Sequence, residues 1–247
     1  MSPLDRLQKV LSLAGVASRR QCEKLISEGQ VIINDKKVAV LGDKIDPEKD
    51  KVKIKGQPVS LVSRKIYLMV HKPKDTLCTK SDPRNRTTIY DCLPPEISQQ
   101  VFSVGRLDRQ TTGLLLMTND GDLAHTLALP ESHIPKEYIV TIDGKLTLED
   151  LQSLENGVQC GSRKTRPAKV KIIEQKPGST KFSLIITEGM NRQIRRMMLG
   201  LGYEVTKLKR VAIGSLLLGD LPVKSFRYLG PKEIRALKTY EQTSKLK

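Results

Sequence analysis

Cysteine and histidine are scarce in this 247-residue sequence, which contains four of the first and three of the second. The cysteines lie far apart and form no Cys-x-x-Cys pair, so they suit neither a disulfide framework nor a zinc site. The histidines lack the spacing of metal ligands, and no Gly-rich nucleotide-binding fingerprint is present. The sequence therefore predicts structural thiols, no metal and no bound cofactor.

Long apolar stretches are also missing from the sequence. No segment approaches the roughly 18 uncharged apolar residues that a membrane-spanning helix needs. Residues 1–6 lack the apolar character of a secretory signal peptide. We therefore expect no membrane partner, and a location in the bacterial cytoplasm, or in an organelle matrix or stroma if the source is eukaryotic.

Acidic residues are outnumbered, because 27 Asp and Glu stand against 43 Lys and Arg, which gives a net charge of +16. Such an excess on a folded chain indicates a polyanionic partner, of which nucleic acid is the commonest. An anionic membrane surface and a merely solvated basic surface are the alternatives. Aromatic residues make up only 4% of the chain, so base stacking would contribute little to binding nucleic acid.

Residues 1–60 are predicted to form a small module of two helices and a hairpin. Ser18 and Gln21 have the spacing of a capping box before the second helix. The apolar runs 31–33 and 38–40 flank turn residues and predict the hairpin. The basic residues of the two helices either contact structured RNA or form a solvated face; they are Arg6, Lys9, Arg19, Arg20 and Lys24.

The rest of the chain reads as a larger body at 61–238, after a polar linker at 56–65, with a flexible basic tail at 239–247. Strand-like runs and helical patterns do not strictly alternate along this body, which favours a mixed or antiparallel sheet over a doubly wound one. Asn191 is the predicted N-cap of a helix with an apolar stripe. The predicted fold class is therefore α+β, a small αα-β module plus a larger mixed or antiparallel sheet domain.

One segment of this body concentrates candidate chemistry. Asp108 stands between Arg106 and Arg109, in a loop bounded by Gly105 and Gly113, just before a wholly apolar strand. Flanking cations favour an ionised carboxylate and also attract phosphate. From the local pattern alone, the segment is either a surface turn or a loop that presents one acid to a ligand.

The N-terminal module resembles a known RNA-binding family. Arg-Leu-Gln-Lys-Val-Leu from Arg6, Gly-Val-Ala-Ser-Arg-Arg from Gly15 and Glu-Gly-Gln-Val from Glu28 are similar to the alpha-L RNA-binding module. The resemblance implies that the module binds structured RNA. It does not imply one activity, because the module occurs in proteins with several.

Three motifs of the larger body resemble those of RNA pseudouridine synthases. Gly105-Arg-Leu-Asp with the Thr-Gly-Leu-Leu that begins at Thr112 is similar to the motif of the catalytic aspartate. The stretch Pro-Lys-Glu-Tyr that ends at Tyr138 is similar to the motif of the pocket tyrosine. The run from Glu188 to Met197, continued around Leu208, has the form found in the RsuA/RluB family of ribosomal RNA pseudouridine synthases.

The resemblance implies roles for individual residues. Asp108 would be the essential acid, Tyr138 would pack against the target base, and Arg195 would pair with the aspartate. The expected substrate pocket also contains Leu208, Arg106, Arg109 and Thr112. Arg192 and Arg196 would contact RNA, on one helix face with Arg195. Three further basic residues either extend the set that contacts RNA or are solvated; they are Lys72, Arg84 and Arg86.

The implied activity is isomerisation of a uridine in ribosomal RNA, with large-subunit RNA favoured, by a monomer that flips the base out of the RNA. Nothing enters or leaves in that reaction, so no cofactor and no metal are required. A non-enzymatic ribosome assembly factor with the same RNA-binding module is the alternative. An RNA methyltransferase is disfavoured, because no methyl-donor loop is present.

Overall fold

The computed structural model describes residues 4–61 and 64–245, with side chains up to residue 240. The chain divides into two compact units. Unit 1 contains the residues up to Ile66 together with Pro95–Val101, and unit 2 contains Tyr67–Pro94 and the residues from Phe102 onward. Residues 62 and 63 of the predicted linker lie outside the described residues.

Unit 1 combines short helices with a small antiparallel sheet of strand order β3-β2-β5-β6, beside a two-stranded pair, β1-β4. Its elements are β1 (Asp5–Arg6), α1 (Leu7–Leu13), α2 (Arg19–Ser27), β2 (Val31–Ile33), β3 (Lys37–Val38), β4 (Lys44–Ile45), β5 (Val52–Ile54), β6 (Gln57–Val59) and, from later in the chain, α3 (Pro95–Ser98).

The predicted capping box of α2 is confirmed. Ser18 Oγ accepts a hydrogen bond from the Gln21 amide at 3.3 Å, and Gln21 Oε1 accepts from the Ser18 amide at 3.1 Å. These bonds satisfy backbone donors that the first turn of a helix leaves free. Apolar residues of both helices and of β2 form the core of the unit, among them Leu7, Leu11, Cys22, Ile26 and Val31.

Unit 2 is built on one large sheet with helices packed against it. Its elements are β7 (Tyr67–Lys72), β8 (Phe102–Ser103), β9 (Thr112–Thr118), α4 (Gly121–Ala128), β10 (Lys136–Asp143), α5 (Leu148–Asn156), β11 (Gln159–Cys160), β12 (Arg163–Lys164), β13 (Lys169–Lys176), β14 (Ser179–Ile186), α6 (Gln193–Gly200), β15 (Val205–Ile213), β16 (Leu216–Leu217), β17 (Phe226–Tyr228) and α7 (Pro231–Lys245).

The sheet of unit 2 has nine strands, in the order β13-β14-β10-β15-β9-β7-β17, with β8 paired to β9 and β16 to β15. The β9–β15 pairing is parallel and the others are antiparallel. The sheet is therefore mixed, and the predicted α+β class is confirmed. Strands β7 and β9 are buried on both faces, as their continuous apolar runs require.

A glycine makes the parallel pairing possible. Gly113, in β9, lies opposite Arg210, in β15, with a φ of +106°. A Cβ atom at residue 113 would lie 2.1 Å from the carbonyl oxygen of Arg210. Because only glycine lacks that atom, the two backbones can approach closely here.

Two local predictions are wrong. Asn191 is not the N-cap of α6; Arg192 occupies that position with a φ of 49°, and the Gln193 side chain accepts a hydrogen bond from the Met190 amide at 3.0 Å. The predicted tail at 239–247 begins inside α7, which continues to Lys245, and residues 246 and 247 lie outside the described residues.

Candidate active site

A cleft of about 540 Å³ opens on one face of the sheet in unit 2. This volume lies within the range of about 300–1,000 Å³ typical of ligand sites. One wall is the loop that contains Asp108, and the opposite wall is the segment that leads into α6. The floor of the cleft comes from β10, β14 and β15, and consists of Lys136, Tyr138, Ile186, Leu208, Arg210 and Ile213.

The Asp108 loop is held in place at several points. The Asp108 carbonyl accepts a hydrogen bond from the Thr111 amide at 3.0 Å. The Cys78 thiol donates to the Leu107 carbonyl at 3.4 Å, and the Leu107 amide donates back to Cys78 Sγ at 3.5 Å. Asp108 itself is half-buried and lines the cleft. Its carboxylate therefore combines access to a ligand with a well-supported backbone.

Lys72 anchors the same loop from beneath. Its side chain has no exposed surface, and Nζ donates to the carbonyls of Pro73, Arg109 and Thr111 at 3.0, 3.1 and 2.9 Å. Burial lowers the pKa of Lys72, while the negative charge of Asp108 is among the influences that raise it. The sequence predicts that Lys72 either contacts RNA or is solvated. Both roles are wrong, because a fully buried ammonium reaches neither RNA nor bulk water.

The floor of the cleft follows from strand register. Tyr138 of β10 pairs with Arg210 of β15, and Lys136 lies two residues before Tyr138, on the same strand face. Tyr138 is 8% exposed, and Arg210 Nη1 lies 3.5 Å from its hydroxyl oxygen. Burial, followed by the charge of Arg210, lowers the pKa of Lys136 to about 8. Apolar Leu208 completes this part of the floor, as predicted for a pocket residue.

Arg195 lies close enough to Asp108 for their charges to interact, but not in a direct ion pair. Within the described part of the chain, no salt bridge shorter than 4.0 Å joins the two side chains. Arg195 Nη1 instead donates to the Val205 carbonyl at 2.8 Å, while Nε is buried without a partner. Burial lowers the pKa of Arg195, and Asp108 opposes that shift. The predicted direct pairing is absent from this conformation.

The other predicted pocket residues separate into two groups. Arg106 is exposed and lines the cleft. Arg109 is not among the lining residues; its Nη2 forms a salt bridge of 2.9 Å with Asp75 on the surface. Thr112 also lies outside the lining, and its hydroxyl donates to the Leu208 carbonyl at 3.4 Å. The expected pocket roles of Arg109 and Thr112 therefore have no counterpart in the cleft.

The arginines at the start of α6 and within it have different neighbours. Arg192 is exposed and lines the cleft, whereas Arg196 Nη2 donates to the Cys160 carbonyl at 2.7 Å. Helical spacing alone places these residues and Arg195 on one side, but each guanidinium meets a different neighbour. Arg192 and Arg196 are both exposed, so RNA contact by either residue stays a prediction, and of the two only Arg192 lines the cleft.

A buried carboxylate supports the opposite wall. Glu188 is 2% exposed, and its Oε1 accepts hydrogen bonds from the Arg166 amide at 2.9 Å and from Gln193 Nε2 at 2.7 Å. Since Gln193 also accepts from the Met190 amide, these bonds shape the backbone that presents Asn191 and Arg192 to the cleft. The resemblance identified this run but assigned no role to Glu188 or Gln193.

Sequence reasoning missed Lys136 and Arg210 as cleft residues. Both lie within runs that the family resemblance covers. Lys136 could have been found from strand alternation, since it is two residues from Tyr138. Arg210 had no comparable signal, because its position opposite Tyr138 depends on the register between β10 and β15.

The predicted RNA-binding residues of unit 1 lie on and beside its helices. Arg6, Arg19 and Arg20 are exposed. Lys9 forms a 3.0 Å salt bridge with Asp5, and Lys24 lies 3.7 Å from Glu28. Ion pairs of this exposed kind contribute at most about 1 kcal/mol, so they do not prevent either lysine from turning toward a phosphate.

The structure describes residues 4–61 and 64–245, and within them neither a metal site nor a membrane span is found. No three His, Cys, Asp or Glu side chains in that part of the chain are grouped so that they could hold a metal ion. No helix there has the length and apolar character needed to cross a membrane.

Comparison with known proteins agrees with this division of the chain. Residues 66–199 match the family model for RNA pseudouridylate synthase, and residues 5–52 match the S4 domain. A solved structure described as a pseudouridylate synthase superposes with a TM-score of 0.69 at 30% identity, over 94% of this chain and 99% of that one.

Two curated relatives are named ribosomal large subunit pseudouridine synthase B. The protein from Bacillus subtilis is 39% identical over 95% of this chain and 96% of its own length. The protein from Vibrio cholerae is 38% identical over 95% of this chain and 74% of its own length. This chain therefore belongs to the RNA pseudouridylate synthase family, with an S4 domain preceding the synthase domain.

Proposed function

We propose that this protein converts a specific uridine of large-subunit ribosomal RNA to pseudouridine. The observation that carries the proposal is the single cleft that brings Asp108, Tyr138, Leu208 and Arg106 together. The names of the Bacillus and Vibrio relatives support ribosomal RNA of the large subunit as the substrate. The net charge of +16 suits such a polyanion.

A uridine inside folded RNA is inaccessible, so the target must be turned out of its stack into the cleft. This step costs a few kcal/mol, which phosphate contacts can offset. Arg106 and Arg192 are exposed and line the cleft, so they are available to contact the RNA backbone there. The ring of Tyr138 and the apolar side chain of Leu208 on the floor are suited to the flat faces of a base.

Asp108 is the reacting acid in this proposal. Its carboxylate either attacks C1′ of the ribose or removes a proton from the ribose ring. In both routes the N1–C1′ bond breaks with its electron pair on uracil, and the base turns and rejoins through C5. The C5 proton leaves and N1 gains one, so the overall change is an isomerisation.

We further propose that the enzyme acts as a monomer, without cofactor or metal, in the compartment where ribosomal RNA matures, which is the cytoplasm in a bacterium. The atom balance of the isomerisation supports the cofactor statement, since no group is gained or lost. Gel filtration with light scattering, together with assays in the presence of a chelator, tests the monomer and metal statements.

Asp108→Asn is the direct test of the proposed function. Pseudouridines in ribosomal RNA are mapped in cells that lack the protein, and the missing site is then tested for restoration by the wild-type gene or by the variant. We expect the wild type to restore one large-subunit site, and Asp108→Asn to lower activity on the order of 10³-fold or more with unchanged folding. No missing site in the deleted strain would contradict the proposal.

A further inference from the structure

Arg210 is a buried cation with an unsatisfied donor at the cleft. The side chain is 4% exposed, and one nitrogen, Nε, donates to the Leu114 carbonyl at 2.8 Å. Nη1 is 3.5 Å from the Tyr138 hydroxyl, and Nη2 is buried without a hydrogen-bond partner. In the described part of the chain, no carboxylate forms a salt bridge with this guanidinium. A buried donor without a partner costs free energy unless a ligand satisfies it.

Lys136 adds a second cation to the same floor. It lines the cleft with Arg210, and on β10 it lies two residues before Tyr138, the strand partner of Arg210. Among the described residues, its ammonium has a single hydrogen bond, a long one of 3.4 Å to the Ile134 carbonyl. Two neighbouring cations without an acid between them repel each other, which marks the place where negative charge would be most stabilised.

The neighbouring residues indicate which kind of negative group fits. Apolar Leu208, Ile186 and Ile213 share the floor with the two cations, and Arg210 is almost fully buried. A phosphate attached to the RNA backbone would have to lose its hydration to reach this depth. A planar base can instead lie against the apolar side chains and direct its carbonyl oxygens toward the cations.

We propose that Lys136 and Arg210 form a subsite that binds the carbonyl oxygens of the flipped uracil and stabilises the uracil anion once the N1–C1′ bond breaks. The proposal rests on the proposed function, because it assumes that a uridine occupies the cleft. Whichever way Asp108 acts, the electron pair of the broken bond moves onto N1 and is shared with the uracil carbonyls. Fixed cations at those oxygens stabilise this charge more than that of neutral uridine, so they lower the barrier.

The test uses an unmodified transcript of large-subunit ribosomal RNA under single-turnover conditions. The wild type is compared with Lys136→Met, Arg210→Gln and the control Lys181→Met, which removes an exposed strand lysine that does not line the cleft. We expect Lys136→Met and Arg210→Gln each to lower the rate about 100-fold, with RNA affinity within about threefold of wild type. The control should match the wild type.

Salt dependence separates a contact to uracil from a contact to phosphate. Loss of one phosphate contact reduces the slope of log affinity against log salt concentration by about 0.7–0.9, whereas loss of a contact to uracil leaves the slope unchanged. We expect an unchanged slope for Lys136→Met and Arg210→Gln. A reduced slope with an unchanged single-turnover rate would overturn the proposal in favour of a phosphate site.

A transcript that contains 5-fluorouridine in place of uridine tests the anion directly. Fluorine withdraws electrons and stabilises the departing uracil, so the rate defect of Lys136→Met in consuming the target nucleoside should shrink. An equal defect on both transcripts, or no defect, would overturn the inference.

If Arg210→Gln fails to fold, Lys136→Met and Arg210→Lys give the same comparison. An inactive wild type would overturn the proposed function as well, whereas an active wild type with unaffected variants overturns only this inference.

Discussion

The ammonium of Lys72, which has no exposed surface, donates a 2.9 Å hydrogen bond to the backbone carbonyl of Thr111. Thr111 closes the turn of Asp108, because its amide donates to the Asp108 carbonyl at 3.0 Å. The lysine therefore reaches the candidate catalytic loop through backbone atoms alone. Its role is to position Asp108, and it lies outside the lining of the cleft.

Lys72→Met should destabilise the protein and weaken activity together. Methionine fills much of the same volume but leaves the three carbonyls that accept from Nζ without their donor. We expect the free energy of unfolding to fall by about 3 kcal/mol, since hydrogen bonds to a charged group contribute about 1.5–3 kcal/mol. Urea unfolding measures the loss. The control is exposed Lys74→Met, and an equally stable Lys72→Met would contradict the anchoring role.

Arg195→Lys should lower activity without removing charge. The lysine keeps a cation near Asp108 but cannot reproduce the guanidinium geometry that holds Nη1 on the Val205 carbonyl at 2.8 Å. We expect kcat to fall about tenfold, which corresponds to about 1.4 kcal/mol in the barrier, with a smaller change in KM. Steady-state kinetics on the ribosomal RNA transcript measure both constants. Full activity would show that the catalytic rate does not depend on the orientation of the Arg195 guanidinium.

Gly113→Ala should disrupt the parallel pairing of β9 and β15. The new Cβ would lie 2.1 Å from the Arg210 carbonyl oxygen, and the φ of +106° is unfavourable for alanine. We expect a loss of at least about 2 kcal/mol in the free energy of unfolding. Gly178→Ala is the matched control, because its φ is also positive, at +68°, but nothing lies near its Cβ. The control should lose only about 1 kcal/mol.

Activity should decrease as the pH rises through about 8, where Lys136 loses its charge. Arg210, which lies opposite Tyr138 on the neighbouring strand, lines the cleft with Lys136, and the other charged residues that line it are Arg106, Asp108 and Arg192. A pH profile of the single-turnover rate tests this expectation. Lys136→Arg should remove the decrease near pH 8, because arginine keeps its charge throughout that range. An unchanged profile in that variant would assign the decrease to another group.

The lowered pKa of Lys136 affects stability in the opposite direction, since the free energy of unfolding should increase as the pH rises. The pKa of Lys136 is about 8 in the folded chain and near 10.5 when unfolded, so the unfolded chain binds more protons between these values. The destabilisation from the partly buried ammonium is therefore present at neutral pH and decreases as the pH rises from about 8 to 10.5. Lys136→Met should raise the free energy of unfolding at pH 7, measured by urea unfolding. A less stable variant would contradict a lowered pKa for Lys136 in the folded chain.

The sequence alone determined the class of the fold and most of its elements. Local signals were sufficient for α2, whose capping box depends on residues 18–21, and for β9, whose continuous apolar run requires burial on both faces. Local signals failed at Asn191, because the competing hydrogen bond comes from Gln193, whose side chain is itself held by buried Glu188. A propensity for capping cannot anticipate a network of that kind.

The identities of Asp108, Tyr138 and Leu208 as candidate site residues came from motifs, and the structure brings all three to one cleft. Only the tertiary structure decided which positively charged side chains line that cleft. Arg109 turns to Asp75 on the surface, Lys72 is buried beneath the loop, and Lys136 and Arg210 enter the floor. The physical reason is that strand register and backbone carbonyl acceptors, set by residues distant in sequence, determine where each charged side chain can be satisfied.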